Sequence, residues 1–242
     1  MANISTSRTI QLPAPQSVTA ETPAANSNPE RWEIGEHLAV AGDTGTGKTY
    51  LISKIVQLRQ YVVFFRTKSD EIKLDGFRKV RSADAMDGNY ATRLLLDPIH
   101  SHQLREGYEM LERAWDQGGW TIVVDEEWYV EKMLKLGPLV ERLLTQGRSK
   151  KISVVVGMQR PSQISRFILS QATHLFTFRM EGRDMQIMKE STTPRILEPL
   201  NALKKYEFVY YHRGERKLMT GNAKTLERVF IGKTKIGGAV KK

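Results

Sequence analysis

One eight-residue segment constrains the fold of this chain more than any other feature. Residues 42–49 read Gly-Asp-Thr-Gly-Thr-Gly-Lys-Thr, which fits the pattern G-x-x-x-x-G-K-[ST] of a phosphate-binding loop. The apolar run Leu38-Ala39-Val40-Ala41 precedes it, and a helical pattern over residues 48–59 follows it. A strand, a glycine-rich turn and a helix in this order form a phosphate cradle, because backbone N–H groups and the positive end of the helix face the anion.

The side chains of this loop have distinct predicted roles. Lys48 is placed to reach the β- and γ-phosphate oxygens, and the Thr49 hydroxyl is placed to ligate Mg²⁺. The predicted cofactors are therefore ATP and Mg²⁺. The predicted nucleotide-binding residues are Gly42, Asp43, Thr44, Gly45, Thr46, Gly47, Lys48, Thr49 and Tyr50.

A second apolar run ends in three acids. Residues 121–124 read Thr-Ile-Val-Val and are followed by Asp125, Glu126 and Glu127. We expect Asp125 to be the second Mg²⁺ ligand and Glu126 to orient or deprotonate an attacking water, with Glu127 as the alternative base. Alone, these acids would indicate only a solvated strand end; together with the loop they predict an ATPase.

Other classes of P-loop protein fit the sequence less well. Residues 67–70 (Thr-Lys-Ser-Asp) imitate the guanine-selecting tetrapeptide of GTPases, but they precede the acidic strand, and residues 125–128 lack the Asp-x-x-Gly switch. The Glu that follows Asp125 favours water over a second substrate as the phosphoryl acceptor, which argues against a small-molecule kinase.

Short apolar runs alternate with helical patterns along the middle of the chain. Predicted helices cover residues 48–59, 103–116, 139–145, 162–170 and 183–189, and predicted strands cover 38–41, 61–65, 93–96, 121–124, 152–158, 175–178 and 208–211. Several strands are apolar without alternation, as expected when helices cover both faces of a mostly parallel sheet. This pattern predicts an α/β domain over residues 34–222.

Both ends of the chain differ in composition from this domain. Residues 1–33 are rich in Pro, Ser, Thr and Asn and predict a flexible tail, and residues 223–242 predict a basic flexible tail. The net charge of +10 favours a polyanionic partner. No apolar run approaches the roughly 18 residues of a membrane span, and the absence of cysteine excludes disulfides and thiolate metal sites. We expect a cytoplasmic protein.

Residues 36–193 resemble the FtsK/HerA superfamily of DNA-pumping ATPases, and more closely its compact viral genome-packaging members. Beyond the two motifs above, the resemblance rests on residues 65–70 (Phe-Arg-Thr-Lys-Ser-Asp) and 146–151 (Gln-Gly-Arg-Ser-Lys-Lys), and on the strand that ends in Gln159-Arg160-Pro161-Ser162. Ser149 interrupts the usual Gly-Arg-Lys run, which leaves Lys150 to serve there. The resemblance implies a RecA-like (ASCE) P-loop NTPase fold.

The resemblance also implies roles and partners. Gln159 would sense the γ-phosphate through the attacking water, and Arg148 would enter the site of a neighbouring subunit as an arginine finger, with Arg142 and Arg160 as alternatives. A hexameric ring is the family expectation, and a pentamer is the alternative at a five-fold capsid vertex. The implied cargo is double-stranded DNA, with a capsid or membrane protein as docking partner and the host cytoplasm or a virion packaging vertex as location.

Three alternative functions remain open at this point. One is an assembly or secretion ATPase that acts on protein partners, and another is a cellular or plasmid DNA pump or a helicase-type HerA-like ATPase. The third is a nucleotide-binding switch with little turnover.

Individual residues outside the motifs give weaker indications. His100 and His102 lack a third metal ligand, and Trp32 either covers the adenine or packs the N-terminal tail against the core. The basic residues that could face DNA are Lys68, Lys73, Arg78, Lys79, Arg81, Arg179, Arg183 and Lys189.

Overall fold

The computed structural model describes residues 30–67, 74–87, 92–97, 100–228 and 230–232. Its strands are β1 (Glu30–Trp32), β2 (Leu38–Ala41), β3 (Val62–Phe65), β4 (Arg78–Val80), β5 (Arg93–Leu96), β6 (Thr121–Val124), β7 (Ser153–Met158), β8 (His174–Thr177), β9 (Glu207–His212), β10 (Lys217–Asn222) and β11 (Phe230–Gly232). Its α-helices are α1 (Lys48–Ile55), α2 (His100–Gln117), α3 (Gly137–Gln146), α4 (Arg166–Gln171), α5 (Gly182–Ser191) and α6 (Leu197–Ala202).

Nine of these strands form one sheet in the order β10-β9-β8-β2-β7-β6-β3-β5-β4. The pairings from β8 to β4 are parallel, whereas β9 pairs antiparallel with both β8 and β10. The predicted α/β fold with a mostly parallel sheet is confirmed. Seven of the nine strands correspond to predicted ones. The two edge strands, β4 and β10, are not among the predicted ones. In β4 the Arg and Lys are exposed and only Val80 is apolar, and in β10 the apolar residues are Leu218 and Met219.

Helices cover both faces of the sheet, but unequally. Successive residues of β2 alternate between two core clusters, with Leu38 and Val40 in one and Ala39 and Ala41 in the other. Leu51, Ile52 and Ile55 of α1 pack on the first face, whereas buried residues of α2 to α6 pack on the second. Each strand of the sheet's centre is therefore buried on both sides, which explains the uninterrupted apolar runs. None of the helices in the described ranges has the length and apolarity of a membrane span.

A polar cluster joins three elements at the amino edge of the sheet. The imidazole of His174 lies 2.8 Å from the Tyr210 hydroxyl through Nδ1 and 2.9 Å from a carboxylate oxygen of Glu36 through Nε2. Nearby, the Nδ1 of His37 accepts the Val154 N–H at 3.1 Å, and burial lowers the pKa of His37 to about 4. These contacts fix β8, β9 and the segment before β2 to one another.

Both predicted tails contribute to the folded part. β1 and β11 pair in parallel as a separate two-stranded sheet, so ordered structure extends beyond residues 34–222. Trp32 is fully buried, its Nε1 donates to the Glu36 carbonyl at 3.0 Å, and the Arg59 guanidinium lies 3.7 Å from its ring centroid. Trp32 therefore packs the segment before β2 against the core and does not cover a nucleotide. The rest of the predicted tails, residues 1–29, 229 and 233–242, lies outside the described residues.

The burial of Trp32 gives a test of this domain boundary. Trp32→Ala should lower the free energy of unfolding by about 3–5 kcal/mol, because it empties a buried aromatic site and removes the ring under Arg59. The exposed Trp128 is the matched control, and its replacement by Ala should change that free energy by less than about 0.5 kcal/mol. Urea unfolding measures both. Equally small effects would show that Trp32 belongs to a loose tail.

Candidate active site

The phosphate-binding loop begins at the carboxyl end of β2, in the middle of the sheet. β2 lies between β7 and β8, and the loop is tied to both neighbours, since Gly42 N–H donates to the Met158 carbonyl (3.2 Å) and Asp43 N–H donates to the Arg179 carbonyl (3.0 Å). Gly42 has φ 152°, and a Cβ there would lie 2.6 Å from that of Phe178. The close approach of Phe178 explains why a glycine opens the loop.

The side chains of Lys48 and Thr46 point towards the inside of the phosphate-binding loop. The Lys48 ammonium donates to the Asp43 carbonyl at 2.9 Å, and the Thr46 hydroxyl donates to the same carbonyl at 2.8 Å. Lys48 is buried, with 7% of its surface exposed. The lysine is thus held beside the backbone N–H groups that a β-phosphate would contact.

A hydroxyl and a carboxylate meet between α1 and the end of β6. Thr49 Oγ1 lies 3.3 Å from each carboxylate oxygen of Asp125. Such oxygen donors suit Mg²⁺, which binds one or two protein oxygens and completes its shell with water and phosphate oxygens. The structure therefore brings together the two predicted Mg²⁺ ligands, and they fit the ion.

The third part of the candidate site lies at the end of β7, the strand between β2 and β6 in the sheet. Gln159 directly follows β7, and its side-chain oxygen accepts a hydrogen bond from the Thr44 hydroxyl at 3.1 Å. Close packing of β7 requires a glycine, because a Cβ on Gly157 would lie 2.3 Å from the Asp125 carbonyl oxygen. Gln159 is thus placed between the loop and the acidic strand, as expected for a polar sensor.

Burial distinguishes the two glutamates after Asp125. Glu126 lines a cavity of about 270 Å³ together with Gln159 and Arg160. Glu127 is 2% exposed, and its pKa is raised to about 8, first by burial and then by its hydrogen bond and charge interaction with Glu131. Burial and Glu131 thus favour the protonated form of Glu127, which lies beside the turn of π-helix at Tyr129–Met133, whereas Glu126 faces the site.

The three candidate arginines lie in different surroundings. Arg148 is exposed in the turn after α3 and packs against Gly35, at the amino end of β2; about 13 Å of strand separates it from its own loop. Arg142 pairs with Glu112 at 3.1 Å and its guanidinium lies 4.0 Å from the Trp115 ring centroid. Arg160 lines the site's own cavities beside Gln159. Arg160 is thus at the loop, whereas Arg148 lies at the opposite ends of the strands. Arg142 contacts the same Trp115 ring as Lys150, two residues after Arg148, and is already paired with Glu112.

One further residue at the loop, Tyr206, is not indicated by any sequence pattern. Tyr206 precedes β9, far along the chain, yet its N–H donates to the Thr46 carbonyl at 2.8 Å. A Cβ on Gly47 would lie 2.7 Å from Tyr206 Cδ1. Nothing in the local pattern marks this tyrosine, because only the return of β9 to the sheet beside β8 brings it to the loop.

The predicted DNA-facing residues lie in two groups. Arg78, Lys79 and Arg81 are exposed at the β4 edge, where Lys79 and Arg81 lie 3.7 Å and 2.9 Å from Asp97. Arg179 and Arg183 are exposed and Lys189 is half-buried, all in the segment after β8. Lys68 and Lys73 lie outside the described residues, as do the side chains of His100 and His102.

Comparison with known proteins agrees with this geometry. The chain is 29% identical over 197 residues to the DNA packaging ATPase P9 of Enterobacteria phage PRD1, a match that covers 74% of the chain and 83% of that protein. The chain resembles FtsK/HerA-type viral genome-packaging ATPases. The resemblance expected from the motifs is thus confirmed, although no protein-family model matches the chain.

Solved structures of packaging ATPases share this fold. The genome packaging NTPase B204 of Sulfolobus turreted icosahedral virus 2, in complex with AMP, matches with a TM-score of 0.63 at 15% identity, covering 77% of the chain and 96% of B204. The cytoplasmic domain of the type VII secretion ATPase EccC of Thermomonospora curvata matches with a TM-score of 0.53 at 12% identity, covering 78% of the chain and 25% of that domain. At these identities the matches establish the RecA-like fold, not a shared activity.

Proposed function

We propose that this protein is an ATP-driven motor that packages double-stranded DNA into a viral particle. The observation that carries the proposal is the convergence of Lys48, the Thr49–Asp125 pair, Gln159 and Glu126 at one edge of the sheet. The 29% identity to a phage DNA packaging ATPase supports the DNA cargo.

The proposed chemistry is hydrolysis of the γ-phosphate. Lys48 and the loop N–H groups hold the β- and γ-phosphates, and Mg²⁺ held by Thr49 and Asp125 supplies charge neutralisation when bound. Gln159 positions the water, whose oxygen bonds to the γ-phosphorus as the bond to the β–γ bridging oxygen breaks. Glu126 accepts the proton of that water. The products are ADP and phosphate.

The adjacent glutamates form a matched pair of test variants. Glu126→Gln should lower kcat about 10²–10⁴-fold while nucleotide binding persists, because it removes the base and keeps the shape. Glu127→Gln should retain most turnover, because glutamine resembles the protonated carboxyl already present. Phosphate release at saturating ATP, with nucleotide affinity measured in parallel, gives both values. Full activity of Glu126→Gln beside a dead Glu127→Gln would reverse the assignment.

The DNA-binding proposal rests on charge. The net charge is +10, and exposed Arg179 and Arg183 follow β8 close to the loop that contacts ATP. A motor must hold DNA by its phosphates without reading bases, because it moves along every sequence, and arginine and lysine on exposed loops supply such contacts.

Duplex DNA should therefore stimulate ATP turnover in a salt-dependent manner. If each subunit neutralises at least two phosphates, the DNA concentration for half-maximal stimulation should rise about tenfold between ~50 and ~200 mM salt. Replacing Arg179 and Arg183 by Gln should weaken that dependence. Turnover that ignores DNA and rises with a capsid or membrane protein would instead favour an assembly or secretion ATPase.

We also propose that the active site is completed by a neighbouring subunit. Arg148 lies at the amino end of β2, so it is too far from its own loop to act there, but it can enter the site of the next subunit in a head-to-tail ring. A guanidinium there would neutralise charge that develops during phosphoryl transfer. A hexamer is the favoured assembly, with a pentamer as the alternative at a capsid vertex, docked to a capsid or membrane protein.

Mixed assemblies test the contribution of Arg148. Arg148→Ala alone should lose about 10³-fold or more of its turnover while it still binds nucleotide. Mixed with Glu126→Gln protein, which lacks the base but keeps Arg148, it should regain turnover, because a Glu126→Gln subunit can supply its arginine to the intact site of an Arg148→Ala neighbour. Arg166→Ala, at an exposed arginine paired with Glu190, is the control and should keep its turnover without a partner variant. Mixtures that are no more active than the two variants alone would contradict the contribution in trans.

A further inference from the structure

Tyr206 is fixed against the phosphate-binding loop by its backbone. Its N–H donates to the Thr46 carbonyl and its carbonyl accepts the Ala223 N–H, both at 2.8 Å. Its φ of 70° lies in the left-handed region that few non-glycine residues adopt. Such a conformation persists only where the surroundings enforce it. The position of the Tyr206 ring is therefore fixed by the surrounding fold.

A second tyrosine lies beside it. Tyr50 directly follows Thr49 in the first turn of α1 and is 38% exposed. The ring centroids of Tyr50 and Tyr206 are 5.5 Å apart, with an interplanar angle of 67°. In the proposed function, Lys48 and the loop N–H groups hold the β- and γ-phosphates and Thr49 ligates Mg²⁺, so Tyr50 lies next to the residues that bind the phosphates. Through its bond to Thr46 and its contact with Tyr50, Tyr206 borders the same part of the loop.

Cations surround the tyrosine pair. Lys224 and Lys205 lie 4.8 Å and 5.4 Å from the Tyr206 ring centroid, and Lys54 lies 5.6 Å from that of Tyr50. These lysines are exposed, so each ammonium can leave a ring face at little cost and turn to a phosphate oxygen. An aromatic face next to flexible positive charge suits a nucleobase followed by its α-phosphate.

We propose that Tyr206, together with Tyr50, forms the base-binding subsite of the ATP site. The nucleobase stacks on this pair, and the surrounding lysines contact the α-phosphate. This inference rests on the proposed ATPase function and adds to it the residues that bind the nucleoside. It also gives a reason for the strained backbone at Tyr206, which holds a stacking surface at a fixed distance from Gly47.

The affinities for two ligands, one with a nucleoside and one without, distinguish contacts to the nucleobase from contacts to the phosphates. Affinities for ATP and for inorganic tripolyphosphate, both with Mg²⁺, are measured by calorimetry in the Glu126→Gln background, which prevents turnover. Tyr206→Leu should weaken ATP binding about 5- to 100-fold and leave tripolyphosphate binding unchanged. Tyr206→Phe should keep the affinity for ATP, because the ring is retained. Tyr108→Leu, at an exposed tyrosine on α2, is the control and should change neither affinity.

The possible results have distinct meanings. An equal loss of both ligands in Tyr206→Leu would show that the ring only supports the loop, and an unchanged ATP affinity would exclude stacking; either overturns the inference. If Tyr206→Leu does not fold, as judged by circular dichroism, Tyr50→Leu decides, with a selective loss of ATP binding expected and equal affinities contradicting it. Failure of the parent protein to bind either ligand would overturn the ATPase proposal itself.

Discussion

The parallel pairing of β2, β7 and β6 is the constraint on which the candidate site depends. Ala41 is paired with Met158 and Val124 with Val156, so the three strands end within two residues of one another. Parallel strands send their following loops out at the same edge. Strand pairing alone therefore places the phosphate-binding loop, Gln159 and Asp125 next to one another. Gly157 permits this arrangement, because any side chain there would collide with the Asp125 carbonyl.

Because these strands are parallel, different groups of residues lie at their amino ends and at their carboxyl ends, which we call the amino and carboxyl edges of the sheet. The carboxyl edge carries the groups that we propose hold ATP, whereas the amino edge carries Arg148 and the cluster of Glu36, His174 and Tyr210. The hydrogen bonds of that cluster fix the ends of β8 and β9, so the amino edge is rigid where a neighbouring subunit would dock. The proposed ring would bring the loop of one subunit to the Arg148 of the next.

Parts of this structure could be predicted from the sequence because they follow from local pattern. Buried parallel strands are apolar throughout, so β2, β6 and β7 were recognised within one residue of their ends. Glu126 was expected to be the base, but the sequence could not exclude Glu127, because adjacent residues share most local features and burial beside Glu131 separates them only in the fold. Tyr206 and the packing of Trp32 depend on segments that meet after folding. β4, exposed and basic, lacks the apolar signal of a strand.

The proposed sharing of an ATP site by two subunits can be seen in a cryo-electron microscopy structure of the assembled protein, trapped with Mg²⁺, ADP and fluoroaluminate on DNA. In that structure, the guanidinium of Arg148 from one subunit should lie within hydrogen-bond distance of the fluoroaluminate bound by the next. A site filled only by residues of its own subunit, with Arg160 on the fluoroaluminate and Arg148 in solvent, would contradict it.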